Sequence, residues 1–272
     1  MIKDITLGQY FPGDSPVHRL DPRLKLLLIV VYIVVLFMST NLAGLALCGV
    51  MVIAMYVISN IPLKVLRKSL KPIAPLIIFT VVLNLFFIKG EGAPVVSFWK
   101  IRIYKEGLLF CLVMVLRIVF LICATSLLTY TTSTIALTDG LESIMRPLKV
   151  IHFPAHEMSM MITIALRFIP TLIEETDKIM SAQKSRGALL DSGTFRQKVR
   201  AMIPILIPLF ISAFRRAEEL ATAMECRCYR GGEGRTSLRQ LKITSADLVS
   251  TALCVAIFAG ILMLKRVFPR VV

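Results

Sequence analysis

The chain has 272 residues, 56% of them hydrophobic, and a formal net charge of +15. Its apolar residues come in long uncharged blocks, which excludes an ordinary soluble fold. The charge does not mark a nucleic-acid binder, because the lysines and arginines sit beside the apolar blocks rather than in one contiguous stripe.

Five blocks approach the length that spans hydrocarbon: residues 24–38, 42–59, 73–88, 107–129 and 246–264. Several are short, so tilt or snorkelling of flanking Lys and Arg is expected. The first follows Arg19, Arg23 and Lys25 and has no small-residue cleavage site behind it, so it is expected to stay as a helix. Between the second and third blocks Lys64, Arg67, Lys68 and Lys71 occur without an acid, whereas residues 39–41 carry no charge. Positive charge is retained on the cytoplasmic side, so the amino terminus is expected there. Residues 89–106, with Trp99 and Tyr104 as interfacial anchors, then fall outside and residues 130–245 inside. Lys265, Arg266 and Arg270 end on the outer face by this count, against the same bias.

Arg117 lies within the fourth block, where a charge must face protein, water or an acid; anchoring is its expected role. Cys48, Cys111, Cys123 and Cys254 lie in apolar blocks and Cys226 and Cys228 near a helix end, so all six thiols are expected to be free.

The segment between the fourth and fifth blocks has helical periodicity and holds most of the acids. A first helix over 134–150 puts Leu141, Ile144, Met145 and Leu148 on one side. A second, over 155–186, carries a stripe of Met158, Met161, Ile162, Ala165, Ile169 and Leu172. It stops at Gly187, which can take the left-handed conformation that closes a helix, leaving Arg186 in the final turn. A third, over 195–227, repeats the design and ends with Arg227 before Gly231 and Gly232. At about 1.5 Å per residue, each of the two longer helices reaches over about 40 Å, the length of a lever. Ala213, Ala217 and Ala221, one turn apart, leave a shallow groove where the levers are expected to cross. Pro170, Pro204 and Pro208 each remove a backbone donor and bend their helix.

The fold class expected is therefore an all-α membrane protein of about five transmembrane helices, with a cytoplasmic domain of three amphipathic helices, two of them long and crossed. Its divisions are residues 1–130 (four transmembrane helices), 131–245 (cytoplasmic domain) and 246–272 (last transmembrane helix and tail).

Two segments carry a resemblance: Ala182-Gln183-Lys184-Ser185-Arg186-Gly187-Ala188, and Ala223-Met224-Glu225-Cys226-Arg227-Cys228-Tyr229-Arg230-Gly231-Gly232. They resemble the paired arginine motifs of the energy-coupling factor transporter transmembrane protein family, EcfT/CbiQ. Leu20-Asp21-Pro22-Arg23-Leu24-Lys25, Arg167-Phe168-Ile169-Pro170-Thr171-Leu172 and Gly231-Gly232-Glu233-Gly234-Arg235-Thr236 also look like that family, in family order over nearly the whole chain. Cys228 stands where the commoner second motif has glycine, and Cys226 where it has alanine, so the local turn must close without glycine.

The resemblance implies a coupling subunit in the plasma membrane of a prokaryote. It implies that Arg186 and Arg227, with Ser185, Gly187, Glu225, Cys226 and Cys228 around them, enter grooves on two cytoplasmic ABC-type ATPases. It implies that the levers, at Met161, Ala165, Pro170, Ala213, Ala217 and Ala221, meet each other and a small substrate-binding membrane subunit, or several that exchange. Vitamins or other micronutrients would be the cargo, with ATP and magnesium bound by the partners and no cofactor by this chain. The residue chemistry agrees: guanidinium offers a planar fork of donors that grips a carboxylate bidentately, which a lysine point charge cannot.

No Gly-x-x-x-x-Gly-Lys-Ser/Thr phosphate loop occurs, so ATP hydrolysis by that route is not expected of this chain. His152 and His156 with Glu157 invite a zinc reading, but Pro154 interrupts the spacing and no metal is expected. A self-contained secondary transporter or channel is the rival reading; it should show acids or histidines at mid-membrane, where the blocks offer essentially Arg117.

Overall fold

The computed structural model describes residues 10–39, 41–87, 96–98, 101–151, 153–188, 194–231 and 244–267. Trp99, His152, Gly232 to Thr236 and Arg270 lie outside them. The chain divides into two units, one of residues 8–140 with 241–272 and one formed mainly by 141–240.

The first unit begins with a single turn, α1 (Pro16–Arg19), capped by Ser15, and continues into α2 (Pro22–Met38). Asp21 starts α2 by accepting the Arg23 N–H at 2.9 Å, with Pro22 at the first helical position where no donor is missed. Next come α3 (Leu42–Ile58), α4 (Leu63–Leu70), α5 (Ala74–Phe87), α6 (Lys105–Thr131) and the start of α7 (Thr134–Met145); α10 (Ser245–Val267) completes the unit.

The core is made where α2, α3, α6 and α10 meet, around Leu36, Leu45, Cys48 and Ile261, all fully buried. Gly49 permits the contact between α3 and α6, since a Cβ there would sit 2.4 Å from the Phe120 ring. Two buried phenols spend their protons on helix carbonyls, Tyr32 on Cys48 O at 3.4 Å and Tyr56 on Cys123 O at 2.9 Å. The outer faces are as apolar as the core: Val30, Val34 and Phe37 on α2, Val50, Ile53 and Val57 on α3, and Leu76, Ile78 and Phe79 on α5 are exposed. Water would penalise such a surface and lipid does not.

Gly107–Thr131 and Arg196–Cys226 are long and apolar enough to cross a membrane, and Lys64–Leu70 with Ala74–Leu85, bent by 55°, make a third if they count as one span. Leu42–Ile58 and Asp247–Ile261 are apolar but shorter. Among the described residues the count by length and composition is thus two to three, one of them Arg196–Cys226, which is not among the five blocks expected to span. The shorter blocks fall outside it by length: α2 and α3 have 17 residues each, about 25 Å of helix against about 30 Å of hydrocarbon.

Among the described residues the chain is all-helical as expected, apart from a short antiparallel ribbon in which β1 (Val96–Phe98) pairs with β2 (Ile101–Ile103), Val96 opposite Ile103. One expected boundary changes. The helix expected over 134–150 stops at Met145 and continues as a 3-10 turn over Arg146–Ile151. Pro147 has no N–H for the carbonyl four residues back, which ends the α pattern.

The second unit is dominated by α8 (Ala155–Ser185) and α9 (Phe195–Cys226), of 31 and 32 residues. Thr194 opens α9, its N–H and hydroxyl both donating to Gln197 Oε1, at 2.9 and 3.1 Å. All six cysteines are free.

Candidate docking site

Both long helices end in the same way. In α8 the Gly187 N–H donates to Lys184 O and the Ala188 N–H to Gln183 O, each at 3.0 Å, with Gly187 at φ +85°. In α9 the Cys228 N–H donates to Glu225 O at 2.8 Å and the Tyr229 N–H to Met224 O at 3.0 Å, with Cys228 at φ +56°. These are Schellman closures, and in both an arginine, Arg186 or Arg227, is the cap residue just before the left-handed one. The second turn therefore closes without glycine, as its sequence requires.

Arg186 and Arg227 are exposed, as are Ser185, Gly187, Glu225, Cys226 and Cys228. Neither guanidinium meets a carboxylate among the described residues, although Glu225 is two positions from Arg227. Each cation sits at the negative end of its helix, held in line by the closed turn.

The helices pack on each other through polar contacts. Glu175 of α8 takes a short hydrogen bond from Ser212 and pairs with Arg216 at 3.2 Å. Gln183 Nε2 donates to Pro204 O at 3.4 Å. Contacts climb α8 as they descend α9, so the helices run in opposite senses. From the Glu175–Ser212 contact, about 16 Å of α8 leads to Arg186 and about 22 Å of α9 leads the other way to Arg227. The arginines thus stand at opposite ends of the pair.

Of the residues expected at the crossing, Ala213 is half-buried, while Ala217, Ala221, Met161, Ala165 and Pro170 are exposed. The polar grip at Glu175 lies one residue to the side of the alanine series. Sequence reasoning missed it: Glu175 reads as an outward charge until its partner is known. His156 pairs with Glu142 at 2.9 Å, and among the described residues no group of three His, Cys, Asp or Glu is placed to hold a metal ion.

In the other unit, Arg117 donates from Nη2 to Ser39 O at 2.9 Å and lies 5.6 Å from the Phe37 ring centroid. The charge is spent on the carboxyl end of α2, whose last carbonyls lack helical partners. A second polar cluster was not foreseen. Buried Lys25 donates to His18 O at 3.2 Å, Thr131 O at 3.0 Å and Thr132 Oγ1 at 3.2 Å. Asp247, also buried, accepts the Asp21 N–H at 3.2 Å and the Thr244 N–H at 2.8 Å. Its signal in sequence is an isolated acid at the head of an apolar block.

Comparison with known proteins agrees with the motifs. The family model described as "Cobalt transport protein" matches residues 13–238. The chain is 50% identical over 268 residues to the energy-coupling factor transporter transmembrane protein EcfT of Clostridium kluyveri, covering 98% of this chain and 99% of that one. It is 53% identical to the EcfT of Thermosediminibacter oceani over 92% of this chain and 93% of that one. With the EcfT of Bacillus subtilis it shares 44% over 98% of this chain and all of that one. Identity at this level over nearly full length, on a framework of apolar helices and two arginine-capped levers, shows that the chain belongs to the family of energy-coupling factor transporter transmembrane proteins.

Proposed function

We propose that this membrane transport protein is the coupling subunit of an energy-coupling factor transporter, passing ATP-driven motion from two cytoplasmic ABC-type ATPases to a small substrate-binding membrane subunit. The observation that carries the proposal is the pair of exposed arginines, unpaired with acid among the described residues and fixed by identical turns at opposite ends of two packed helices. One prong per ATPase follows from that arrangement, and acidic grooves are the natural receptors for a bidentate cation. Closure of the ATPases on ATP would draw the prongs together and shift the levers. The exposed apolar and small residues along them, Met161, Ala165, Ala217 and Ala221, would pass that shift to the substrate-binding subunit. Vitamins or other micronutrients are the cargo class.

The same reading places the amino terminus in the cytoplasm and counts five crossings, the short helices spanning by local bilayer thinning and snorkelling. It keeps α9 at the cytoplasmic side despite its length, because Arg196, Lys198, Arg200, Arg215, Arg216, Glu218 and Glu219 punctuate it. ATP and magnesium belong to the partners, and the chain itself catalyses nothing.

The test is Arg186→Ala with Arg227→Ala in the full chain, co-expressed with its ATPases and substrate-binding subunit. The variant should insert normally, lose the ATPases on purification and lose substrate uptake. Undiminished uptake would refute the docking role, and transport by the purified chain alone would return the rival reading.

A further inference from the structure

We propose that α4 is a clamp for anionic phospholipid, its cationic face binding the phosphate-bearing headgroups of the surrounding bilayer. Lys64, Arg67, Lys68 and Lys71 fall at the i, i+3, i+4 and i+7 positions of one helical face, and all four are exposed. None has a carboxylate partner among the described residues, and the nearest acids in the chain are Asp21 and Glu91. The opposite face is committed elsewhere. Val65 and Leu66 pack against the core, and Ser69 is hydrogen-bonded to the Tyr130 hydroxyl, so the helix cannot turn its cations inward.

Complementing the helix dipole explains only part of the stripe. Arg67, Lys68 and Lys71 lie in or beside the last turn, where positive charge is favoured. Lys64 lies in the first turn, where it is not, and the four charges repel within about 10 Å of helix. An anion outside the protein resolves both.

The position of α4 says which anion. The chain bends by 55° between α4 and α5, and α5 exposes Leu76, Ile78 and Phe79. The cations therefore border an apolar surface, as headgroup phosphates border acyl chains. An amphipathic helix of this kind lies in the interface, and a bilayer rich in anionic lipid attracts each of its cations. The proposal needs the membrane location alone, so it stands or falls separately from the arginine docking above.

The experiment is native mass spectrometry of the full chain in detergent, titrated with phosphatidylglycerol and with phosphatidylcholine of the same acyl chains. Wild type should retain phosphatidylglycerol about tenfold or more in preference, and about 0.5 M salt should erase most of that preference by shortening the screening length. Lys64→Gln, Arg67→Gln, Lys68→Gln and Lys71→Gln together should abolish it, whereas Lys64→Arg, Lys68→Arg and Lys71→Arg should keep it. In wild type alone, the α4 amides should exchange more slowly in phosphatidylglycerol nanodiscs than in phosphatidylcholine ones, a readout that needs no variant to fold. The proposal is overturned if the four-glutamine variant keeps the preference, if wild type shows none, or if that variant keeps its lipids and loses the ATPases instead, which would assign the stripe to a protein contact.

Discussion

At the scale of single residues, the two arginine turns show how one geometry is reached by different chemistry. Gly187 adopts φ +85° freely, and a Cβ there would meet nothing within 4 Å, so Gly187→Ala is penalised by the backbone alone. That penalty is about 1 kcal/mol, and the Ala188 amide, which bonds across the turn, should exchange about fivefold faster. Cys228 already bears the strain at φ +56°. Cys228→Gly removes about 1 kcal/mol of strain but adds nearly as much unfolded-chain entropy, about 0.4–1 kcal/mol. Exchange at Tyr229 should therefore change by no more than about threefold, while Cys228→Val, β-branched, should open the turn. The first turn was legible because a glycine after an amphipathic helix is a stop signal. The second was legible only through the resemblance, which has glycine where Cys228 stands, since cysteine by itself gives no sign that it will be left-handed. Arg117 was legible only as a charge needing a partner; the partner is a backbone carbonyl, Ser39 O, which no residue type announces.

At the scale of elements, helices α8 and α9 end within a residue of where their stripes and glycines indicate, because periodicity and stop signals are local. What holds them together is a contact 37 residues apart in sequence, Glu175 with Ser212, joined by Arg216. The alanine series suggested close helix approach, yet a small residue permits approach without compelling it, and Ala217 and Ala221 lie open. The two ideas make opposite predictions for the isolated chain. Glu175→Ala should weaken the lever pair by about 1–2 kcal/mol, the worth of a partly buried charged hydrogen bond, seen as faster exchange along both helices. Ala217→Glu, on an exposed face, should leave the pair within about 0.5 kcal/mol of wild type while reducing co-purification of the substrate-binding subunit proposed above. If Ala217→Glu separates the levers and Glu175→Ala does not, the crossing runs along the alanines after all. The elements missed altogether, α4 as a helix and the β1–β2 ribbon, are short, and short elements take their form from neighbours more than from their own pattern.

At the scale of the whole chain, the least legible feature is what ties the last helix to the first. The Asp21 amide meets the Asp247 carboxylate across 226 residues, and only the fold brings them together. Lys25 sits among the same groups at 7% exposure, Asp21 and Asp247 each at 5%. Its three protons satisfy His18, Thr131 and Thr132, so the start of α2 is bonded to the end of α6. A motif that read as a flanking charge before an apolar block is thus the fastening point of the helices around it. Removing the cation leaves His18 O, Thr131 O and Thr132 Oγ1 without their donor, and each buried group stripped of its hydrogen bond costs about 1–3 kcal/mol. Lys25→Met should accordingly lower the thermal midpoint of the detergent-solubilised protein by several degrees. Adding Asp247→Asn to Lys25→Met removes one buried charge, but leaves a single oxygen where Oδ1 now accepts from the Asp21 N–H and Oδ2 from the Thr244 N–H, so one of those hydrogen bonds is lost. Because the aspartate's charge is worth less once the lysine is gone, the double variant should lose less than the sum of the two single variants, and strictly additive losses would show that lysine and aspartate are not coupled.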